Sequence, residues 1–157
     1  MKIRRGWLWA GAVILAALLA SAGCSGRSER AAPAIVINGH TFTVELADTP
    51  ERRRLGLSGR PSLAADRAML FVFPESRVRS FYMRECYFPI DVAFLDADRT
   101  ILNLTTMAVE VAPSRPSRLY RSDAPARYVV EAVGGTWDRI GAAPGMKVEF
   151  RHILGGE

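Results

Sequence analysis

Residues 80 to 96, SFYMRECYFPIDVAFLD, gather the groups most able to do chemistry into one stretch of seventeen positions. A thiol at Cys86 lies two residues from Arg84, so on an extended strand both side chains share a face. A neighbouring guanidinium lowers a thiol pKa and favours the nucleophilic thiolate. Against this stand the adjacent Glu85, the absence of any histidine nearby, and the strong tendency of unpaired cysteines to be buried as small apolar groups. Packing is therefore the expectation for Cys86. Asp91 raises a second possibility, because it enters the apolar run VAFL. On a strand Asp91, Ala93 and Leu95 take one face, and Ile90, Val92, Phe94 and Asp96 the other. A carboxylate in such surroundings needs a hydrogen-bonding or cationic partner. Arg79 or Arg84 qualifies, as do the backbone N–H groups of the loop 86–89. The alternative places Asp91 at the mouth of a pocket beside Tyr82, Met83 and Arg84. Ion-pair networks perturb acids as often as catalysis does, so a structural aspartate is the preferred reading. Phe81, Met83, Val92 and Phe94 read as core. The candidate ligand-facing patch is Tyr82, Arg84, Glu85, Cys86 and Asp91, with the loop PSRPSRLYR (113–121) as one rim.

Elsewhere the chemistry thins out. The two histidines, His40 beside a hairpin turn and His152 near the end, are far apart in sequence. Asp96-Ala97-Asp98 lacks the glycine and distal glutamate of a calcium loop and reads as turn support. Gly56-Leu57-Ser58-Gly59 lacks the spacing of a nucleophile elbow and ends a helix instead of starting one. No metal site and no cofactor is expected.

The elements that must position these groups are mostly strands. AIVI (34–37), Asn38-Gly39 and TFTVELA (41–47) read as a hairpin with a type I′ turn. Asp48-Thr49-Pro50-Glu51 starts a helix, with Asp48 able to cap and Pro50 in the first turn. Gly56 and Gly59 end it, and Leu55 and Leu57 are placed to pin it to a sheet. AMLFVF (68–73) stops at Pro74, and VRSFYMREC (78–86) alternates polar and apolar side chains. IDVAFLD (90–96) and TILNLTTM (100–107) flank the turn Ala97-Asp98-Arg99. A proline- and arginine-rich connection, 112–125, leads to ARYVVEAV (126–133). Gly134-Gly135-Thr136 opens a short helix through Ile140, and MKVEFRH (146–152) is the last strand. Short, closely spaced strands argue for a mainly β sandwich or barrel with two short helices, near 49–57 and 136–141, and against βαβ units.

The first residues read as an address. Met1–Arg5 is a basic head, Gly6 to Ala22 carries no charge, and Ser21-Ala22-Gly23-Cys24 supplies small residues at an exit. The apolar run is short of the ~20 residues of a spanning helix, which leaves only a tilted, uncleaved anchor as a membrane-spanning option. Ala22-Gly23-Cys24 resembles a lipoprotein lipobox, with Ser21 where leucine is favoured; Ala20-Ser21-Ala22 is an alternative site for ordinary cleavage. The expected organisation is signal 1–23, tether 24–33 and one β domain 34–154, lipid-anchored at Cys24 on the periplasmic side of the envelope. Ser25 in place of aspartate favours the outer membrane. Loss of Lys2, Arg4 and Arg5 takes the net charge from +5 to +2, too little to imply nucleic acid or an anionic lipid surface as partner. Nearly all the cations are arginine, a bias that base composition explains better than a phosphate site. With Cys24 at the anchor, Cys86 has no disulfide partner, and roughly 130 mature residues suffice for a core without one.

In order, VELADTPERRRLGLSGR, AMLFVFP, SFYM, PIDVAFLDADRTI and ARYVVEAVGGTWDRIGAAPGMKVEF resemble domain-of-unknown-function family 192, from about Thr43 to Phe150. The resemblance implies a compact jelly-roll-like β-sandwich and supplies no activity. It matches Asp91 to the aspartate of a Pro-Leu-Asp motif. Where the family has Asn-Thr after its aromatic-Met-basic run, this chain has Glu85-Cys86, an amide and a hydroxyl exchanged for a carboxylate and a thiol. The function expected is a non-catalytic binding or interaction module of the cell envelope, a monomer meeting a small polar ligand or an envelope protein. The alternative is an envelope hydrolase or transferase using Asp91 with Arg84 or Cys86.

Overall fold

The computed structural model describes residues 31–112 and 114–153. The signal, the lipobox and most of the tether lie outside them. Nine strands and two short helices follow in the order β1 (Ala34–Ile37), β2 (His40–Ala47), α1 (Pro50–Leu55), β3 (Arg67–Arg77), β4 (Ser80–Phe81), β5 (Ile90–Leu95), β6 (Ile101–Met107), β7 (Tyr120–Arg121), β8 (Ala126–Val133), α2 (Thr136–Ile140) and β9 (Glu149–Arg151). Seven strands form one sheet in the order β6-β5-β8-β3-β2-β1-β9, and β4 pairs with β7 in a small second sheet. The mainly β fold with two short helices agrees with the strand spacing of the sequence.

The large sheet curls until its two ends meet. Thr100, just before β6, bridges Lys147, just before β9. The Ile101 N–H donates to the Met146 carbonyl at 2.9 Å and the Val148 N–H to the Arg99 carbonyl at 2.9 Å. Curling gives the sheet an inner face, where Ile35, Phe42, Leu70, Leu95, Val130 and Trp137 pack together. The other face carries Met69, Phe71, Ile90, Val92, Phe94 and Val129. Phe81 and Tyr120 of the small sheet pack on that second cluster. All six residues of β5 are buried, as an apolar run covered on both faces requires.

Neighbouring strands are antiparallel except β2 and β3, which pair in parallel from Thr43↔Arg67 to Ala47↔Phe71. A parallel pair needs a long crossover, and residues 48–66, including α1, provide it. Thr49, not Asp48, caps α1: its hydroxyl accepts from the Arg52 N–H at 3.3 Å. Asp48 instead pairs with Arg52 on the surface at 3.3 Å. Leu57 is buried as expected, whereas Leu55 is 59% exposed and pins nothing. β3 runs past Pro74 to Arg77, with its register against β8 broken between Val72 and Arg77. A proline is tolerated where the ladder is already irregular.

The strand expected over 78–86 is cut to Ser80–Phe81. Glu85 has φ 53°, a left-handed conformation that a strand does not hold. The Ser58 hydroxyl donates to the Arg84 carbonyl at 2.7 Å and the Gly59 N–H to the Glu85 carbonyl at 2.8 Å. These two bonds exchange strand pairing for a turn clasped to the segment after α1. The connection 112–125 contributes β7, which its composition concealed.

Asp91 is 1% exposed. Its Oδ1 accepts from the Thr106 hydroxyl at 2.7 Å and its Oδ2 from the Trp137 N–H at 2.9 Å. Neither Arg79 nor Arg84 nor the loop 86–89 is its partner. The residue before helix α2, Gly135, stands at the capping position and has no side chain to cap it, so the aspartate of β5 satisfies a first-turn N–H in its place. The Asn38 side-chain amide closes the other end, donating to the Ile140 carbonyl at 2.7 Å. Between β8 and α2, the Gly134 N–H donates to the Pro89 carbonyl at 2.8 Å. A Cβ on Gly134 would come within 2.7 Å of the Pro89 Cβ. Asp91→Asn keeps the shape but removes the charge from two buried bonds, and should lower stability by ~1 to 3 kcal/mol. A denaturant titration of both proteins measures it; an unchanged midpoint would mean that the carboxylate contributes nothing to holding α2.

Candidate functional site

The outer face of the sheet is roofed by the segment 56–59, by the turn at 84–85 clasped to it, and by β4. Between roof and sheet lies a cavity of about 280 Å³. Leu57, Phe71, Phe81 and Cys86 give it apolar walls, and Ser58, Tyr82, Arg53, Arg54 and Arg84 stand around it. Its floor holds Glu131, which lies on β8 opposite Met69 of β3 and Val92 of β5. It is thus a carboxyl on a central strand, 5% exposed. Its Oε2 is buried without a hydrogen-bond partner.

Burial pushes the Glu131 pKa up to about 8, and Arg60 opposes the shift only weakly. Arg60 is already committed: it forms a two-pronged pair with Glu45, at 2.7 and 2.8 Å. At neutral pH Glu131 is therefore mostly a carboxylic acid, able to donate as well as accept. Gly56 lets the backbone pass over this acid. Its φ of 52° suits glycine, and a Cβ would meet the Phe71 ring at 3.4 Å and Glu131 Oε2 at 3.9 Å.

The thiol beside the acid is not activated. Burial pushes Cys86 up to about 11, Glu131 adds to the shift, and the pull of Arg84 does not offset them. The Cys86 Sγ donates weakly to the Arg84 carbonyl at 3.4 Å. Around the mouth, Arg53 donates to the carbonyls of Asp48 at 2.7 Å and Val72 at 2.8 Å. Arg84 donates to the Arg54 carbonyl at 2.9 Å and lies 5.9 Å from the Tyr82 ring.

Of the residues singled out from sequence, Tyr82, Arg84 and Cys86 meet at this cavity. Glu85 is exposed and contributes only its backbone to the clasp. Asp91 lies on the inner face of the sheet, paired with Ala132 of that cluster, so the sheet separates it from the other four. Of the loop, none of the residues 114–121 lines the cavity, and the Tyr120 ring packs on the outer-face cluster. Glu131, Gly56, Ser58, Arg53 and Arg54 were missed. Glu131 had left a signal: in YVVEAV it is an acid inside a run apolar on both parities, which implies burial on both faces. Among the described residues no group of three or more His, Cys, Asp and Glu is placed to hold a metal.

A curled, mainly β sheet with a small roofed cavity on its outer face defines the class of protein. The chain belongs to domain-of-unknown-function family 192, described as an uncharacterized ACR, whose family model matches residues 34–150. A UPF0127 protein of Pyrococcus abyssi is 32% identical over 112 residues, 68% of this chain and 85% of that protein. Another from Pyrococcus furiosus is 29% identical, over 71% of this chain and 89% of its own. Two crystal structures are similar in fold. A protein of unknown function from Novosphingobium aromaticivorans matches with a TM-score of 0.69 and 29% identity, over 78% of this chain and 95% of that one. A Sinorhizobium meliloti protein, proposed to be a transcription regulator, matches at 0.68 and 34%, over 77% and 93%.

A buried acid whose pKa rises on folding destabilises the fold as pH increases. From its ordinary 4.5 to about 8, the folded protein holds a proton that the unfolded chain has released. Stability from this group is therefore complete below pH 4.5 and is lost on the way to pH 8. At ~1.4 kcal/mol per pKa unit, the loss is roughly 3 to 5 kcal/mol. Glu131→Gln should remove that slope and be the more stable protein at pH 8. Denaturant titrations of both proteins from pH 5 to 9 check it; parallel curves would show that Glu131 ionises freely in the fold.

Proposed function

We propose that the chain is a lipid-anchored binding module of the cell envelope, without catalysis of its own, and that the cavity over Glu131 receives its ligand. One observation carries the site: a buried carboxyl, Glu131, lines the cavity, and its Oε2 has no partner among the described residues. Leaving a buried polar atom unsatisfied is unfavourable by ~1 to 3 kcal/mol, and such atoms in native proteins call for an explanation. A ligand that hydrogen-bonds Glu131 provides one.

The walls support binding over reaction. The cavity's thiol is protonated at neutral pH, and Glu131 has neither a histidine nor a second acid beside it among the lining residues. A nucleophile without a base, or a lone acid without a nucleophile, does not make a hydrolytic pair. The alternative of a hydrolase or transferase joining Asp91 to Arg84 or Cys86 would need groups on opposite faces of the sheet to meet. Transcription regulation, the role proposed for the Sinorhizobium meliloti protein, would have little charge to draw on for a nucleic-acid partner in a chain of net charge +2 without its basic head. The envelope address rests on the basic head, the uncharged Gly6–Ala22 segment and Cys24. The family match beginning at residue 34 agrees with a leader and tether ahead of the domain.

Two measurements test this reading. Labelled palmitate should enter the wild-type protein but not Cys24→Ser, and the membrane fraction should lose the variant. Equal labelling would exclude diacylation at Cys24. Small molecules extracted from full-length protein purified from membranes should include a species absent from Ser80→Trp, in which an indole on exposed β4 covers the mouth. Identical extracts from two equally folded proteins would remove the cavity from the proposal.

A further inference from the structure

The same cavity constrains the chemistry of its occupant, and the constraint rests on the binding reading above. Three cationic side chains, Arg53, Arg54 and Arg84, line it, and Glu131 is the one acid among its lining residues. Arg54 is exposed and its guanidinium has no partner among the described residues, while Arg53 and Arg84 each retain N–H groups beyond those bonded to backbone carbonyls. Below this cationic mouth come Leu57, Phe71, Phe81 and Cys86, which offer no strong hydrogen bond. Buried with them is Glu131, whose Oε2 has no partner among the described residues. From solvent inward come the guanidinium groups, then a buried interior of apolar walls and one hydrogen-bonding acid.

We infer that the ligand is a small organic carboxylate with a ring-sized apolar body and a hydroxyl or carbonyl at its far end. It enters body first, so that its carboxylate remains at the guanidinium mouth and its far end bonds Glu131. Each part answers one layer. Guanidinium forks match carboxylate geometry. An ammonium ligand would have to stand among three guanidinium groups to reach a single acid, against their repulsion. A ligand without a polar far end would give the Glu131 carboxyl no hydrogen bond. The volume, about 280 Å³, lies just below the ~300 to 1,000 Å³ of pockets that enclose drug-sized molecules, so the body is a single ring or a short branched chain. A neutral Glu131 donates to the far end, which agrees with the raised pKa of that group.

The test uses full-length protein in nonionic detergent and three probes of one shape: 4-hydroxybenzoate, its neutral amide 4-hydroxybenzamide, and the cation tyramine. Calorimetry should find 4-hydroxybenzoate bound at least tenfold more tightly than the amide, with tyramine undetected. Arg54→Glu, an exposed change, should weaken the carboxylate at least fivefold and leave the amide unchanged. Glu131→Leu, which removes the hydrogen-bonding group and leaves an apolar wall, should weaken 4-hydroxybenzoate at least tenfold; unchanged binding would overturn the contact with Glu131. Ser80→Trp should abolish it. Equal binding of amide and carboxylate, or preference for tyramine, sensitive to Ser80→Trp, would overturn the carboxylate and leave the cavity as the site. Silence from all three probes would also overturn the carboxylate. In that case the membrane extracts decide the cavity separately, because an endogenous species lost in Ser80→Trp would keep the site while its ligand class falls.

Discussion

Everything in this fold follows from a central pair of strands that is apolar on both faces. β5 is buried along its whole length, and its neighbour β8 is buried at all but two of its eight positions. Such strands cannot face water on either side, so two different coverings are needed. On one side the sheet covers itself by curling, and α2 fills the interior with Trp137 and Ile140. On the other, the chain lays down α1's trailing segment, the clasped turn at 84–85 and the small β4–β7 sheet. The first covering is dense. The second leaves a gap, and that gap lies above the one acid that β8 presents to this face.

The chemistry of the cavity comes from that incomplete covering. Burial keeps Glu131 mostly protonated at neutral pH, and the one cation that opposes it, Arg60, is held by Glu45. Burial keeps Cys86 as a thiol as well. Arg84, whose proximity in sequence suggested activation, turns its guanidinium toward the Arg54 carbonyl and the Tyr82 ring. The arginines are consequently features of the mouth and not of the floor, and the apolar walls separate the two.

The sequence made the strands legible wherever pairing and burial act together. The Asn38-Gly39 hairpin, the Ala97–Arg99 turn, β5, β6 and β8 all follow from alternation and turn chemistry. It failed where long-range contacts override local pattern. The alternation of 78–86 is real, but two bonds from Ser58 and Gly59 convert its second half into a turn, and no local rule foresees partners more than twenty residues away. Asp91 was recognised as an acid in need of partners; the partners themselves, Thr106 on the next strand and the Trp137 N–H, belong to tertiary structure. Attention to the chemically crowded stretch 80–96 found Tyr82, Arg84 and Cys86 but passed over Glu131, which looked like the polar beat of an alternating strand. Its flanking residues on the same face, Val129 and Val133, carried the contrary indication.

The pairing of β1 with β9 gives the chain a direction in time. Ile35 of the first strand waits for Phe150 of the last, and the Arg99–Ile101 segment waits for Met146 to Val148. A hairpin such as β1–β2 can form as soon as it is made, but closing contacts between distant segments are slow to find. Until β9 is available, β1 offers an open edge able to pair with other chains. Completion of the sheet therefore waits for residues 146 to 151. A molecule truncated there would lose more than a short strand, because it would expose the edge that β9 exists to cover.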